Sequence, residues 1–571
     1  KAGASENTKK PDYTFRLFAE RKFFLEAKKP CVHINDIDAP ARQARRYGYT
    51  ANLKISVLSN FEYLMIYDTS VKVEETDTNQ KALIKKYHYT EYENKFEELQ
   101  RLLGKDSVYS GQFDEEWKDI EVRLKQWSVD KQFLKQINEW RLLLGKEILN
   151  AEPTIDMELL GDQVQSYINK ILFLRVCEDR NIETYKDLLA IADGGNFDKL
   201  LEKFRKADTK YNSGLFDQAL SKRVVCNASS AFWTIIRQLY FPESPYSFSV
   251  FSPDILGHIY EIFIAEKLAV KDGKLQIVKK PENEDSDVVT TPTYIIREIL
   301  RKTITPLCKD KSAKEILKLK IADIACGSGA FLLETYQLLN DILIDYYIQH
   351  DTSKLVQIGE NSYRLKYAEK KQLLKNCIYG VDKDFNAAEA SKFGLLLKLL
   401  ENEDSASLIN EHPILPDLEK NIFFGNSLLS SCDIKATDAS DINPFDFGAM
   451  RFDAIIGNPP YLTTEGMKNF TPKELPLYKQ KYTSAYKQFD KYIVFVERAM
   501  DLLKDNGLLG YIVPLKFMKV GAGQELRRLI LTQKTLEAIT AFGACKVFPG
   551  KSNYTCLLIV KKTEHETFRY N

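Results

Sequence analysis

Residues 323–332 have the sequence Asp-Ile-Ala-Cys-Gly-Ser-Gly-Ala-Phe-Leu. This pattern is typical of the end of a strand followed by a turn and the start of a helix. Gly327 and Gly329 allow a tight turn and a close approach of the backbone to a ligand. The helix that follows would direct its positive end toward that ligand. Asp323 is placed to bond the amino group of a zwitterionic ligand. Because many such turns carry two glycines for packing alone, this stretch needs support from the neighbouring strands.

Short apolar runs recur around this turn, and each is separated from the next by helical or loop-like sequence. They cover residues 321–325, 377–381, 421–424, 452–456 and 508–513. Alternating strands and helices are typical of a parallel sheet with helices on both faces. The pattern therefore predicts an α/β, Rossmann-like, doubly wound domain in the second half of the chain.

The strand after the glycine turn ends in an acid, Asp382, which is placed to accept hydrogen bonds from ribose hydroxyls. It lies more than 50 residues beyond Gly329, whereas dinucleotide-binding domains need about 20. This spacing argues against NAD, and an inserted segment around residues 349–365 would explain it. A helix N-cap is the alternative role for Asp382 or Asp384. Asn426, after the third strand, offers an amide for a purine edge but is uninformative alone.

The fourth strand runs into Asn458-Pro459-Pro460-Tyr461, the most specific signal in the chain. Two adjacent prolines fix the backbone and remove two donors, so carbonyl groups can face a site. The Asn458 side-chain oxygen and the Pro459 carbonyl can accept both hydrogens of a planar amine, which frees its lone pair to attack a sulfonium methyl group. Tyr461 offers a flat face for a base. The tetrapeptide alone leaves adenine, cytosine and glutamine open as substrates.

A second group of polar residues lies near the front of the chain. Asp12 begins one strand of an expected hairpin, and Glu26 and Lys28 lie on the same face of the other. Two carboxylates can share a magnesium ion, and a lysine beside them can polarise a water that attacks a phosphodiester. Gln43 and Tyr47 lie four residues apart on one face of a basic helix expected at 39–47. Alone, a Glu-x-Lys pair is usually a solvated strand face.

The bulk composition limits the other possibilities. The 571 residues carry a net charge of +1, so a nucleic-acid partner would have to be bound by local clusters of charge. Nine cysteines without paired spacing argue against zinc sites and disulfides and favour a reducing, cytoplasmic compartment. No run of residues is long and apolar enough to predict a membrane span. We expect three domains: an α/β unit at 1–72, an all-α connector at 73–270 and the Rossmann-like unit at 271–571.

Residues 287–571 resemble adenine-N6 DNA methyltransferases of the class in which the cofactor motifs precede the catalytic motif. The resemblance implies S-adenosyl-L-methionine as cofactor and Asn458–Tyr461 as the catalytic motif. Phe548, in Val-Phe-Pro, would be a second aromatic face for the target base. The residues implied to contact the cofactor are Thr291, Asp323, Ala325, Gly327, Gly329, Asp382, Asn426 and Asn458.

The front of the chain resembles the PD-(D/E)XK nuclease domain, which implies catalytic roles for Asp12, Glu26, Lys28 and Gln43, with Mg²⁺ bound by the two acids. The order of nuclease, connector and methyltransferase resembles bacterial or archaeal type IIG restriction-modification enzymes. That likeness implies double-stranded DNA as partner, missing nuclease sequence before residue 1 and a target recognition domain after residue 571. It leaves the oligomeric state open.

Three other functions remain possible on this sequence. The first is a modification-only or phage-defence adenine methyltransferase whose nuclease-like front domain is inactive. The second is a protein-glutamine methyltransferase, because a side-chain amide is also a planar amine. The third is a DNA-binding scaffold that keeps the cofactor fold without the reaction.

Overall fold

A computed structural model describes residues 10–17, 20–126, 129–211, 229–251, 257, 260, 265–280, 291–359, 362–434, 442–543, 547–548 and 554–571. No helix among these residues is long and apolar enough to cross a membrane.

The front domain is built on a five-stranded sheet in the order β1-β2-β3-β4-β5. Its strands are β1 (Tyr13–Leu17), β2 (Glu20–Ala27), β3 (Ile55–Ser59), β4 (Tyr63–Asp68) and β5 (Leu83–His88). Helix α1 (Asp38–Thr50) connects β2 to β3, and these two strands are parallel, as such a crossover requires; the other neighbours are antiparallel. The expected hairpin and basic helix are thus confirmed.

The front domain continues well past residue 72, where the sequence analysis ended it. Four helices follow β5: α2 (Phe96–Leu103), α3 (Lys105–Ser110), α4 (Gln112–Glu116) and α5 (Lys118–Gln126). Their apolar residues, including Leu102, Trp117 and Leu124, bury one face of the sheet, while α1 packs on the other. A sheet with two apolar faces needs a layer of structure on each face. The second layer consists of helices that lie within the region predicted to be the connector.

The middle region is mainly helical, as predicted. Its helices are α6 (Val129–Ala151), α7 (Met157–Asp179), α8 (Asp187–Gly194), α9 (Phe197–Tyr211) and α10 (Ser229–Arg237). A hairpin of β6 (Glu266–Lys271) and β7 (Lys274–Lys279) follows. The expected boundary at 270 divides this hairpin. A Cβ on Gly145 of α6 would lie 3.0 Å from Leu275, so the hairpin packs on the connector.

The last domain contains an eight-stranded sheet with the order β12-β11-β8-β13-β14-β16-β15-β17. Five strands are parallel, at the predicted places: β8 (Ile321–Asp323), β11 (Ile378–Asp382), β12 (Ile422–Phe424), β13 (Phe452–Gly457) and β14 (Leu503–Pro514). Strand order reverses between β8 and β13, and ligands of open α/β sheets bind at such a point.

The sheet is mixed rather than purely parallel. Strand β16 (Thr555–Lys561) is inserted antiparallel between β14 and β15 (Leu536–Ala541), and β17 (Arg569–Tyr570) lies at the edge. The sequence pattern did not predict β15, β17 or the antiparallel direction of β16. The predicted insertion is confirmed as a hairpin of β9 (Leu355–Gly359) and β10 (Ser362–Leu365).

Helices cover both faces of this sheet. They are α11 (Thr293–Cys308), α12 (Ala313–Ile316), α13 (Ala330–His350), α14 (Tyr367–Cys377), α15 (Phe385–Leu399), α16 (Ser431–Ile434), α17 (Thr464–Phe470), α18 (Glu474–Lys481), α19 (Lys491–Leu502) and α20 (Gln524–Thr532).

Candidate functional site

The first candidate site lies at the carboxyl edge of the parallel strands. Strands β8, β11 and β13 end at this edge with Asp323, Asp382 and Gly457, and the glycine turn leads from β8 into α13. The fold therefore brings together residues separated by more than 130 positions in the sequence.

Asp323 is almost completely buried and lies against the backbone at the end of β13. Its Oδ1 accepts a hydrogen bond of 3.0 Å from the Ala325 N–H. Burial raises the pKa of Asp323 to about 8, and the charge of Asp382 adds to the rise. A Cβ on Gly457, which has a φ of +155°, would lie 2.7 Å from Asp323 Oδ1. A buried carboxyl group with one free oxygen fits a ligand ammonium group.

Asp382 holds the glycine turn in place. The N–H of Gly327 donates to Asp382 Oδ2 over 2.8 Å, and the N–H of Asp384 donates to its Oδ1 over 2.9 Å. Asp384, and not Asp382, caps α15. Each oxygen of Asp382 keeps a further lone pair, so the carboxylate can still accept from ribose hydroxyls. Burial raises the pKa of Asp382.

The two glycines of the turn have left-handed backbones. Gly327 has a φ of +53° and Gly329 a φ of +88°. A Cβ on Gly329 would lie 2.5 Å from Ser391 Oγ. The turn therefore requires glycine for its conformation at both positions and for space at the second.

Asn458 has one end of its side-chain amide bonded and the other free. Its Nδ2 donates to Thr291 Oγ1 over 3.0 Å. Its Oδ1 is buried and makes no hydrogen bond within the part of the chain that the structure describes. A buried acceptor without a partner is costly, and a substrate N–H would satisfy it. Thr291 thus contacts the Asn458 side chain itself.

The ring of Tyr461 is held from two sides. Its Oη donates to the Ile512 carbonyl over 3.0 Å, and its ring packs edge-on against Tyr492 with 6.0 Å between centroids. Burial raises the pKa of Tyr461 well above its usual value. Phe548, the expected second face, is buried in an apolar cluster against which Tyr461 also packs. Its proline neighbour, 549, lies outside the described residues.

Asn426 is occupied by its own loop. Its Nδ2 donates to Tyr478 Oη over 3.1 Å, and its Oδ1 accepts from the Leu428 N–H over 3.0 Å. The side chain is 6% exposed. Asn426 therefore shapes the loop after β12, and any contact with a purine would use its remaining N–H and lone pair.

Three aromatic residues at this edge were not predicted from the sequence. Phe385 and Phe424 pack edge-on with 5.6 Å between centroids, directly after Asp384 and at the end of β12. Phe424 is 45% exposed, and Tyr294, in the first turn of α11, is 63% exposed. Exposed rings beside Asp382 and Thr291 are suited to cover a purine and an aliphatic chain. The position of Phe385 directly after Asp384, and of Phe424 directly before Gly425 and Asn426, was the available signal in the sequence.

The second candidate site lies in the front domain, where β1, β2 and α1 meet. Asp12 Oδ2 accepts from the Ala27 N–H over 2.8 Å. Lys28 Nζ donates to Glu26 Oε1 over 2.5 Å and to Gln43 Oε1 over 3.0 Å. The structure thus brings together the four residues that the sequence analysis selected. Gln43 in turn donates to Tyr47 Oη over 2.8 Å.

Glu26 is the buried member of this group. It is 1% exposed, and its Oε2 makes no hydrogen bond with any described residue. Burial raises the pKa of Glu26, with Asp12 adding to the rise, whereas Lys28 lowers it. A divalent cation would satisfy the free oxygen and reverse the cost of burial. Within the described ranges, no group of three or more His, Cys, Asp or Glu residues suits a metal, so two acids would hold it.

The strand order, the glycine turn beside Asp382 and the Asn458 motif define a methyltransferase-like α/β domain. The family model "Eco57I restriction-modification methylase" matches residues 376–548. Over its whole length the chain is 55% identical to the type II restriction enzyme and methyltransferase RM.Eco57I of Escherichia coli, and it covers 57% of that protein. Along its whole length the chain therefore resembles a type II restriction enzyme and methyltransferase.

Two more distant proteins are also similar. The adenine-specific methyltransferase BrxX of Escherichia coli O9:H4 (strain HS) is 22% identical over 410 residues, which cover 51% of this chain and 31% of BrxX. The type IIL restriction-modification enzyme MmeI, solved in complex with DNA, has a TM-score of 0.49 and 14% identity, and the match covers 76% of this chain and 58% of MmeI. The chain spans little more than half the length of RM.Eco57I. Similarity alone therefore does not assign the activities of that whole protein to this chain.

Proposed function

We propose that the last domain transfers a methyl group from S-adenosylmethionine to the N6 amine of adenine in double-stranded DNA. The observation that carries the proposal is the buried, unpartnered Oδ1 of Asn458. It lies at the carboxyl end of β13, next to the strand that ends at Asp323.

Bound cofactor supplies an electrophilic methyl group on a sulfonium. Asn458 Oδ1 and the Pro459 carbonyl accept the two hydrogens of the target amine, which directs its lone pair out of the ring plane toward that methyl group. Tyr461 stacks on the base after the base has left the duplex. No strong base is required, because the acidity of the amine rises as it is methylated.

The cofactor is held by groups that are already organised. Asp323 receives its ammonium group, Asp382 its ribose hydroxyls, and the glycine turn lets the backbone approach. Ala325, whose N–H donates to Asp323, forms the backbone between Asp323 and the glycine turn. Phe385 and Phe424 cover the purine ring.

Methyl transfer from radiolabelled cofactor, with the product identified by mass spectrometry, tests this proposal. We expect N6-methyladenine from duplex DNA, and loss of transfer in Asn458→Ala with cofactor binding retained. Asn410→Ala, at an exposed position, is the matched control. N4-methylcytosine or N-methylglutamine as product would overturn the adenine assignment, and unchanged transfer by Asn458→Ala would overturn the site.

We also propose that the front domain hydrolyses DNA with Mg²⁺, which makes the protein a bifunctional restriction-modification enzyme. The unpartnered Glu26 Oε2 beside Lys28 supports this proposal. Asp12 and Glu26 would hold the ion, whose charge would stabilise the phosphate transition state. Lys28, oriented by Gln43, would polarise the attacking water.

Cleavage of unmodified duplex DNA by Glu26→Gln and Lys28→Ala tests the nuclease assignment. We expect both variants to lose cleavage and to keep methyl transfer, which serves as an internal control for folding. Methyl transfer by the wild type without any Glu26-dependent cleavage would instead establish a modification-only enzyme.

A further inference from the structure

An exposed phenylalanine lies beside the candidate nuclease site. Phe61, in the turn between β3 and β4, is 72% exposed and has a φ of +73°. This backbone region is unfavourable for a bulky side chain. Turns that only connect two strands use glycine or asparagine at such positions. Phe61 therefore combines an exposed apolar ring with an unfavourable backbone conformation, and a binding role would explain both.

The turn that carries Phe61 is held by several hydrogen bonds. The Phe61 N–H donates to Ser59 Oγ over 3.1 Å, and the Tyr63 N–H donates to Asn60 Oδ1 over 2.8 Å. Tyr92 Oη donates to the Phe61 carbonyl over 2.9 Å. These bonds offset the backbone strain and hold the backbone of the turn in place.

Other rings extend the surface. Tyr63 and His88 have centroids 5.0 Å apart, and those of His88 and Tyr89 are 4.5 Å apart. Phe61 packs edge-on against Tyr92 with 6.4 Å between centroids. We call these five residues the aromatic platform. Tyr89 is 51% exposed, and the Lys86 ammonium lies 4.7 Å from the centre of the Tyr63 ring.

The aromatic platform begins where the nuclease strands end. The Lys28 N–H donates to the Ser59 carbonyl over 2.7 Å, and Glu26 is paired in register with Leu58. Phe61 follows Leu58 by three residues, in the turn after β3, so the two Cα atoms are at most about 10 Å apart. This separation is no more than about three base steps of one DNA strand.

The chemistry of the aromatic platform favours bases over phosphates. Ring faces stack on bases whatever their sequence, and Lys86 adds a positive charge. Glu62, within the turn, and Glu91, whose carboxylate accepts from the His88 N–H over 2.9 Å, disfavour contact with phosphates. An exposed ring on a rigid turn can enter between base pairs and open the duplex locally.

We propose that the aromatic platform binds duplex DNA next to the cleavage position, with Phe61 stacked between bases. The inference rests on the proposed nuclease function. It assigns Phe61 as a DNA-binding and positioning residue that places the phosphodiester at Glu26 and Lys28.

Phe61→Gly and Phe61→Asn test the proposal, because both replacements tolerate a positive φ. We expect an equal or higher melting temperature, since strain is removed. In a Glu26→Gln background we expect affinity for target duplex to fall about tenfold, as loss of one stacked base predicts. In the otherwise wild-type protein, cleavage should fall while methyl transfer at saturating DNA stays unchanged. Tyr109→Ala, 63% exposed in the same domain, is the matched control and should change neither.

Several results would overturn the proposal. One is a lower melting temperature for both Phe61 variants, which would assign the ring to the fold. Another is unchanged duplex affinity in the Glu26→Gln background, which would exclude DNA as the occupant. The nuclease proposal fails separately, if the wild type shows no Glu26-dependent cleavage, and the affinity measurement still tests the aromatic platform in that case.

Discussion

The amide of Asn458 donates from Nδ2 to Thr291 Oγ1 over 3.0 Å, and this contact leaves Oδ1 as the end of the amide that faces the site. An amide turned by 180° would present N–H donors to an amine that also donates. The hydroxyl of Thr291, 167 residues earlier in the chain, accepts from Nδ2 and so helps to hold the amide in place.

Thr291→Val should lower kcat for methyl transfer about fivefold to tenfold, the loss that one hydrogen bond of about 1–1.5 kcal/mol predicts. The KM for cofactor should stay close to the wild-type value, and Thr291→Ser should restore kcat. Steady-state kinetics with duplex DNA measure both constants. A raised KM with normal kcat would show instead that Thr291 contacts the cofactor.

Gly457→Ala should abolish cofactor binding. The new Cβ would lie 2.7 Å from Asp323 Oδ1 on a backbone with a φ of +155°, so the carboxyl group or the catalytic strand must move. Isothermal titration with cofactor measures the effect. The control is Gly394→Ala in α15, where the added Cβ meets Leu333 at an ordinary 3.5 Å. Normal binding by Gly457→Ala would contradict the close packing of these two residues.

Without cofactor, the protein should lose stability as the pH rises from about 4 toward 8. Burial raises the pKa of Asp323 to about 8, above that of an exposed aspartate, so the folded state holds this proton longer than the unfolded state. The contribution of Asp323 to the free energy of unfolding is complete below about pH 4. It decreases by up to about 1.4 kcal/mol per pH unit between the pKa of the unfolded state and that of the folded state.

Asp323→Asn should remove this part of the pH dependence and be more stable than the wild type near pH 8. Melting temperatures between pH 5.5 and 8.5, measured without cofactor, provide the comparison. Parallel curves for the two proteins would show that Asp323 titrates in its ordinary range.

An ion pair ties the sheet of the front domain to the last domain. Arg21, on β2, donates to Glu401 Oε1 over 2.8 Å and to the Val250 carbonyl over 3.0 Å. A double-mutant cycle of Arg21→Ala and Glu401→Ala should give a coupling energy of at least about 1 kcal/mol in unfolding experiments, because both side chains are less than 20% exposed.

The exposed pair of Arg569 and Glu537, also 2.8 Å long, is the matched control for this cycle and should couple by less than about 1 kcal/mol. Equal coupling in the two pairs would mean that the Arg21 contact adds nothing to domain association.

Local patterns in the sequence predicted much of this protein. Apolar runs predicted the five parallel strands, the gap before Asp382 predicted the hairpin insertion, and prolines 459 and 460 marked the proposed catalytic motif. Such features depend on neighbours in the chain, because strand formation, turn conformation and strand-end polarity follow from residues a few positions apart.

Only the tertiary structure decided which distant groups meet. The sequence did not show that β16 runs antiparallel, that helices up to residue 126 belong to the front sheet, that Asn426 bonds Tyr478, or that Gly457 leaves space for Asp323. These contacts join residues up to about 130 positions apart. Their formation depends on how whole elements pack to bury apolar surface, and no local pattern records that.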